Sequence, residues 1–293
     1  MKLSYRGLFL VLFGLAAASI DASELASSPT DLGAAVFKLK VLHGTGKVNN
    51  GSAVLIAPGK LLTTCHVTRG AESIQVYRGH AKMTAKSAFV DTEHDLCVLS
   101  VPDLLKSVPA EIAVPRDLKV GDEVLAVGYT RAGRLALSTG RLKALHHYGA
   151  VRVLQISAPF DHGQSGGALF DSTGRLVGIT AFKTVSGGDF HFALAFDGVH
   201  EELLTRDATV PDSGSHKTAF WERARHAQPL FLRAASLEAD RDWKALLNVA
   251  QEWTASDDTN SASWLALWRA LSSLKRERDA DLALSRAVAL LNN

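Results

Sequence analysis

Residues 161–169 read DHGQSGGAL, in which a serine is surrounded by three glycines. Glycine reaches backbone conformations that other residues avoid, so it suits a loop that must approach a bound molecule closely. Ser165 lies within this loop, and the apolar residues after it continue as a short strand. A serine presented in this way is a candidate nucleophile if the chain supplies a base and a carboxylate elsewhere.

Two earlier segments supply a histidine and a carboxylate. Residues 61–67 read LLTTCHV and place His66 just past the end of an apolar strand. Residues 95–101 read DLCVLSV and place Asp95 at the start of another strand. Nucleophilic hydrolysis needs an activated hydroxyl, a base within hydrogen-bond reach and a carboxylate that orients the base. The three segments therefore predict a catalytic triad of His66, Asp95 and Ser165.

The composition of the chain changes at about residue 214. All 23 glycines lie at or before that position, and all five tryptophans lie after it. The first part contains short apolar segments, at 35–41, 52–56, 123–127 and 176–179, separated by turn signals such as 50–51 and 58–59. This pattern predicts a mainly β architecture, followed by a glycine-free helical part. We expect a β domain over 30–205, a linker over 206–218 and a helical domain over 219–293.

The helical part has the periodicity of paired amphipathic helices. Apolar residues fall at i, i+3, i+4 and i+7 in one helix: Trp264, Leu267, Trp268 and Leu271. A following helix places Ala280, Leu284 and Ala287 on one face, and Leu246, Ala250 and Trp253 fit the second helix of an earlier unit. The spacing is similar to that of tetratricopeptide repeats. The alternative is a plain helical cap packed on the β domain.

The first 22 residues have the pattern of a secretory signal peptide. Lys2 and Arg6 precede an uncharged, mostly apolar run over 7–20. An uncleaved membrane anchor is the alternative. We expect an exported protein, periplasmic or secreted, without stable membrane insertion after cleavage. The formal net charge of +2 and the lack of a dense Lys/Arg run give no reason to expect a nucleic-acid partner.

Six segments in order resemble the trypsin-like serine peptidases, and among these the bacterial HtrA/Deg subgroup. Besides the three segments above, the similarity includes 120–128 (VGDEVLAVG), 137–140 (LSTG) and 191–195 (HFALA). The resemblance extends over about residues 34–200. It implies two six-stranded antiparallel β-barrels, followed here by a small α-helical tetratricopeptide-like domain in place of a PDZ domain.

The resemblance also implies the activity and the roles of the residues. The expected function is serine-type endopeptidase cleavage of polypeptides in exported proteins through an acyl-enzyme, with no cofactor and no metal. The backbone N–H groups of Gly163 and Ser165 would form the oxyanion hole. The sequence departs from the family at Gln164, where Asn is usual, and at His162, where Pro is usual. Gln164 also lacks the carboxylate with which some secreted relatives pair a freed N-terminus.

Residues that would contact the substrate follow only from the resemblance. Pro159 occupies the position at which a preference for basic residues would require a carboxylate, so a Lys/Arg pocket is not expected. The candidate pocket residues suggest small or medium apolar side chains in the substrate: Phe160, Ala181, Phe182 and Phe192. The alternative is that these four side chains are simply barrel core.

The two cysteines flank the predicted base and its carboxylate. Cys65 precedes His66, and Cys97 follows Asp95 by two residues. A triad would bring both segments together, and an even number of cysteines in an exported protein favours a disulfide. The alternative is two buried free thiols.

Two alternatives to a triad peptidase stay open, and the role of the helical tail is open as well. The protein could be an inactive peptide-binding or scaffold protein with a peptidase fold. Residues 163–167 also fit the G-x-S-x-G elbow of α/β-hydrolases, although the alternating strands and helices of that fold are missing. Three roles are open to the helical tail: contact with the peptidase domain, binding of a partner protein, or oligomerisation.

Overall fold

A computed structural model describes residues 32–113, 118–184, 190–195 and 218–291. The predicted signal peptide at 1–22 lies outside the described residues. So does all of the predicted linker at 206–218 except its last residue. The described part consists of two β-barrels followed by a helical region.

The first barrel contains six antiparallel strands that close in the order β1-β2-β3-β6-β5-β4. The strands are β1 (Val36–His43), β2 (Val48–Ala57), β3 (Lys60–Thr63), β4 (Ala71–Arg78), β5 (Ala81–Asp91) and β6 (Leu96–Ser100). Buried and less buried residues alternate along much of β1, which allows Phe37, Leu39 and Val41 to fill the interior. Closure pairs every strand on both sides, so the barrel has no free edge.

The second barrel also contains six antiparallel strands, in the order β10-β11-β12-β9-β8-β7. The strands are β7 (Glu123–Tyr129), β8 (Leu135–Tyr148), β9 (Val151–Ile156), β10 (Ala168–Asp171), β11 (Leu176–Lys183) and β12 (His191–Leu194). The prediction of two six-stranded antiparallel barrels is confirmed.

One local prediction was wrong. Asn50 and Gly51 were expected to form a turn, but both lie inside strand β2, where Gly51 pairs with Leu39 of β1. Glycine is needed at position 51 because the Val67 side chain packs directly against its backbone: a Cβ here would lie 2.4 Å from Cγ1 of Val67. The glycine signal therefore marks the point at which the segment carrying His66 crosses β2.

Five α-helices are present in the described residues. A single turn, α1 (Cys65–Thr68), lies between the strands of the first barrel. The other four follow the barrels as two pairs, each with a short connection of three residues: α2 (Leu230–Ala239), α3 (Trp243–Ser256), α4 (Ser261–Ser273) and α5 (Glu277–Leu291). Asp242 and Asn260 cap α3 and α4 by accepting hydrogen bonds from backbone N–H groups. The two helix pairs coincide with the two predicted units, and their assignment as tetratricopeptide repeats stays a prediction.

The helical region packs against the barrels through a shared apolar core. One cluster of buried residues includes Phe170 and Phe192 of the second barrel together with Phe220, Phe231 and Trp253 from the chain beyond it. The first and third helices of the region, α2 and α4, contact one another within this packing. Contact with the barrels, one of the three roles left open for the tail, is therefore observed. Among the described residues, no helix is long and apolar enough to cross a membrane.

Candidate active site

The three predicted triad residues lie where the two barrels meet. His66 belongs to α1, which follows β3, and Asp95 directly precedes β6. Ser165 lies in the loop that leads into β10 of the second barrel. Its backbone C=O accepts a hydrogen bond of 2.8 Å from the N–H of Ser52 in β2, so this loop is attached to the first barrel.

His66 and Asp95 form a closely coupled pair. Nδ1 of His66 lies 2.7 Å from Oδ2 of Asp95, and the backbone N–H of His66 donates to Oδ1 at 2.8 Å. Asp95 is fully buried, whereas 20% of the His66 side chain is exposed. An ionised carboxylate can only accept, so Nδ1 carries the proton of the neutral ring and Nε2 is left as the basic nitrogen.

The backbone of Asp95 is held in an unusual conformation. Its φ is +61°, in the left-handed region that residues other than glycine enter rarely. Its C=O accepts from the N–H of Cys65 at 3.3 Å, and its own N–H donates to the C=O of Thr92. Strain of this kind costs about 1–3 kcal/mol and is typical of functional sites, where the surrounding structure imposes it.

The structure contains a disulfide between Cys65 and Cys97, with their Cα atoms 5.0 Å apart. Cys65 precedes His66 in α1, while Cys97 lies in β6 two residues after Asp95. The bond therefore joins the segment that carries the histidine to the segment that carries its carboxylate.

Several charges act on the pKa of His66. Burial by itself lowers this pKa, but the charge and hydrogen bond of Asp95 outweigh burial, and the pKa is raised above its ordinary value of 6.5. Glu222 raises the pKa further and Arg69 lowers it. The imidazolium form is thus stabilised where it would have to form during catalysis.

Ser165 lies in the same cleft as His66, but its hydroxyl has another partner. Oγ of Ser165 donates to the backbone C=O of Ala181 at 3.0 Å, and the structure contains no hydrogen bond between this Oγ and His66. Both residues line a cleft of about 310 Å³. Rotation about the Cα–Cβ bond of Ser165 moves its hydroxyl between staggered positions, and such catalytic bonds are often absent without substrate.

Two residues that line the cleft, Gly163 and Ser165, have backbone N–H groups without an acceptor among the described protein residues. The C=O of His162 accepts a hydrogen bond of 3.0 Å from the N–H of Arg131, and no peptide bond in the described residues is cis. C=O and N–H point in opposite directions across a trans peptide, so the N–H of Gly163 points away from Arg131. Within the described part of the chain, neither this N–H nor that of Ser165 donates to a protein acceptor. Both are available to an oxyanion.

Ser52 supports this loop, and sequence reasoning did not identify it. Its buried hydroxyl donates to the C=O of Gly163 at 2.8 Å and accepts from the N–H of Tyr129 at 2.8 Å. The only sequence signal was a hydroxyl residue within an otherwise apolar strand segment, GSAVLIA. Such a residue in a buried strand needs partners, which the sequence alone does not identify.

Gly166 is required by a close approach between the barrels. Its φ is +81°, and a Cβ there would lie 2.2 Å from the backbone oxygen of Ser52 and 2.3 Å from Oγ1 of Thr63. The contact with the backbone oxygen of Ser52 could not be relieved without moving β2. The glycine after the serine therefore fixes the distance between Ser165 and the first barrel.

The four predicted pocket residues are buried: Phe160, Ala181, Phe182 and Phe192. None of them lines the cleft that contains His66 and Ser165. Phe182 and Phe192 stack on one another with ring centroids 5.0 Å apart, and the ring of Phe160 contacts that of His191. Their assignment to a substrate pocket stays a prediction.

A residue from beyond the barrels also reaches the site. Nε1 of Trp221 donates to Oδ2 of Asp95 at 3.0 Å, and the indole ring contacts the His66 ring edge to face with centroids 5.2 Å apart. Sequence analysis only counted Trp221 among the five tryptophans that follow residue 214. Nothing in the spacing connects it to a carboxylate 126 positions earlier.

The described residues contain no group of three or more His, Cys, Asp or Glu side chains that could hold a metal ion. His146 is an example of a histidine with a different use. It is buried against Phe231, with ring centroids 4.3 Å apart, and Nε2 pairs with the amide oxygen of Gln155.

Comparison with known proteins gives a consistent family. Residues 51–179 match the trypsin-like peptidase domain family. The serine protease Rv3671c of Mycobacterium tuberculosis is 28% identical over 183 residues, which are 59% of this chain and 44% of that protein. The serine endoprotease DegS of Haemophilus influenzae is 32% identical over 181 residues, 56% of this chain and 53% of DegS. The chain thus spans about half the length of the curated relatives it matches.

Solved structures support the same relationship. The active form of the Rv3671c protease superposes with a TM-score of 0.57 at 25% identity, over 62% of this chain and 85% of that chain. The HtrA-type protease AlgW with a tripeptide superposes with a TM-score of 0.54 at 30% identity, over 60% of this chain and 62% of that chain. The chain therefore contains a trypsin-like peptidase domain that is homologous to the HtrA/Deg serine proteases.

Proposed function

We propose that this protein is a serine endopeptidase in which Ser165 is the nucleophile and His66 the general base, while Asp95 orients the base and stabilises its charged form. One observation supports this most strongly. The coupled His66–Asp95 pair and two unpaired backbone N–H groups converge on the cleft that contains Ser165. A base, a nucleophile and an oxyanion site in one cleft are the minimum set for acyl transfer.

The first half of the reaction uses these groups in order. As Oγ of Ser165 forms a bond to the scissile carbonyl carbon, its proton passes to Nε2 of His66 and the carbonyl π electrons move onto oxygen. The N–H groups of Gly163 and Ser165 stabilise that oxyanion, and Asp95 stabilises the imidazolium. When the C–N bond breaks, His66 gives the proton to the leaving amine, and an acyl-Ser165 remains.

The second half releases the acyl group. Water enters, loses a proton to Nε2 of His66 and attacks the ester carbon, and the proton then returns to Oγ of Ser165 as the acid departs. The substrate class we propose is a polypeptide in an exported compartment. AlgW was solved with a tripeptide, and two proteins related to this chain are described as probable periplasmic endoproteases.

A second function has one observation in its favour. The Ser165 hydroxyl donates to Ala181 and not to His66, the arrangement expected of a peptide-binding protein with an idle nucleophile. A binding protein of this type would retain peptides without cleaving them.

Fluorophosphonate labelling of the folded protein separates the two functions. We expect peptide mass spectrometry to find the label on Ser165, and we expect no label in Ser165→Ala and a strongly slowed reaction in His66→Ala. Ser172→Ala, which changes an exposed serine in the turn after β10, is the matched control and should label at the parental rate. Peptide binding by a parent protein that is never labelled would instead favour the inactive binding protein.

A further inference from the structure

Residues 219–223, here called the strap, lie between the second barrel and the helix pairs in the sequence and reach both barrels in the fold. Phe220 is fully buried, and its ring stacks on Tyr148 of β8 with centroids 4.4 Å apart. Its backbone N–H donates to the C=O of Glu93 in the first barrel at 3.1 Å. The strap is therefore fixed across the junction at which the triad lies.

Charged side chains reinforce this attachment. Glu222 forms a two-point ion pair with Arg69, at 2.5 and 3.2 Å, and also accepts from the N–H of Ala219. Arg223 donates to Glu93 at 2.7 Å. Bidentate pairs between guanidinium and carboxylate groups constrain geometry more than single contacts do, so they hold the strap in register with the first barrel.

Trp221 lies at the centre of the strap and makes three contacts with the site. Its ring stacks on Phe182 with centroids 4.8 Å apart and planes 11° from parallel. One edge contact reaches the His66 ring, and the indole N–H donates to Oδ2 of Asp95. Trp221 therefore contacts both His66 and Asp95.

The hydrogen bond to Asp95 has a defined chemical consequence. Three N–H donors satisfy this buried carboxylate: two from His66 and one from Trp221. The indole donor shares Oδ2 with Nδ1 of His66, so it fixes the position of that oxygen and withdraws part of its charge from the imidazole. Without it, Oδ2 has only the imidazole as a partner and is less restrained.

We propose that Trp221 is a positioning residue of the catalytic triad, so that the chain beyond the barrels completes the active site by holding Asp95 against His66. The predicted effect of Trp221 on the reaction rate rests on the proposed function. The predicted effect of Trp221 on the pKa of His66 does not require turnover. A positioning role differs from a purely structural role of Trp221. The stacked ring of Trp221 supplies packing, whereas its N–H acts on the Asp95 carboxylate.

The charges around His66 predict shifts of opposite sign for two strap variants. Trp221→Phe keeps a stacked ring and removes the N–H, so Asp95 acts more strongly on the imidazole and the pKa of His66 rises. Glu222→Gln removes a negative charge that raises this pKa, so the pKa falls. Loosening of the whole strap would instead shift both variants in one direction. The other titratable groups in the cleft are Lys47, Arg131 and His162, and neither variant changes them.

The test compares full-length Trp221→Phe with Trp264→Phe. Nε1 of Trp264 donates to the C=O of Asp258 at 2.9 Å within the helical region, so this control loses the same kind of hydrogen bond away from the triad. Two quantities are measured: the rate of fluorophosphonate labelling and the NMR titration midpoint of the His66 imidazole. We expect labelling of Trp221→Phe to fall about 10- to 100-fold, the effect of one lost bond to a charged group, and labelling of Trp264→Phe to be unchanged.

Each outcome decides one question. A slower Trp221→Phe with a raised His66 midpoint, and a lowered midpoint in Glu222→Gln, supports the inference. Parental labelling with an unchanged midpoint in Trp221→Phe overturns it, as do equal losses in the two tryptophan variants or shifts of one sign in both strap variants. If the parent is never labelled, the proposed activity fails, and the His66 midpoints alone decide whether Trp221 positions the pair.

Discussion

Replacement of Ser52 by alanine removes the hydroxyl that joins the oxyanion loop to the first barrel. The hydroxyl donates to the C=O of Gly163 and accepts from the N–H of Tyr129, both at 2.8 Å. Alanine leaves this N–H and C=O without a partner in a buried site. The expected destabilisation is about 1–3 kcal/mol for each group, if no water replaces the hydroxyl. The two groups together give about 2–6 kcal/mol, and at about 2–4 °C per kcal/mol the melting temperature falls by roughly 4–24 °C.

The same change acts on activity, because the peptide that bears the oxyanion donor loses an anchor. Complete loss of one oxyanion donor lowers kcat by about 10²–10³-fold, which sets the upper limit. We expect a fall in kcat of about tenfold or more, measured well below the melting temperature of the variant.

Ser263→Ala is the matched control for this variant. Ser263 is also a fully buried serine, and its hydroxyl donates to the C=O of Asn260 at 2.7 Å in the helical region. The control should lose stability without losing kcat. If Ser52→Ala keeps the parental kcat while its melting temperature falls as expected, then the hydroxyl supports the fold alone and the assigned role in the oxyanion loop is wrong.

Three further predictions concern the disulfide and two histidines. Reduction of the Cys65–Cys97 bond, which closes a 32-residue separation, should lower the free energy of unfolding by about 3–4 kcal/mol, measured by urea titration with and without reductant. The acid limb of kcat/KM should have its midpoint above pH 6.5, because the pKa of His66 is raised, and a midpoint below 6.5 would contradict the assigned pair. Burial lowers the pKa of His146 to about 4, so between pH 6.5 and about 4 the unfolded chain binds more protons than the folded one. The free energy of unfolding should therefore decrease as the pH is lowered from 6.5 to about 4, by at most about 3 kcal/mol. His146→Gln should remove most of that dependence in urea titrations at several pH values.

The barrels could be predicted because their signals are local. Short apolar segments, turn residues and a glycine-rich loop each follow from a few neighbouring positions, as in the segment that becomes β7 and the loop around Ser165. Gly51 shows the limit of this reasoning. Its sequence context indicates a turn, while its real constraint is a side chain that approaches from α1. A local signal identifies that glycine is needed but not what approaches it.

The supports of the site could not be predicted, because their partners are distant in sequence. Ser52 acts on Gly163, which lies 111 positions later, and no pattern marks a hydroxyl in an apolar strand as an anchor for a loop. The predicted pocket residues, whose role stays a prediction, are also not decided by local sequence signals. Phe182 is apolar and lies close to the nucleophile in the fold, but its ring is covered by Trp221 and Phe192. Apolar residues beside a site are equally suited to line it or to support it.

The position of the strap explains why the tail of this chain was difficult to interpret from sequence. Helical periodicity indicates that the tail packs on something, but the decisive contacts come from residues 219–223, which precede the first of these four helices. Phe220 contributes a buried ring and Trp221 a partly buried one, while Arg223 and Glu222 pair with the first barrel. Apolar packing and ion pairing therefore act on the same five residues, and these residues include the Trp221 that donates to Asp95. The hydrogen bond from Trp221 to Asp95 is therefore a contact that helical periodicity could not indicate, because it comes from a residue that lies before the four helices.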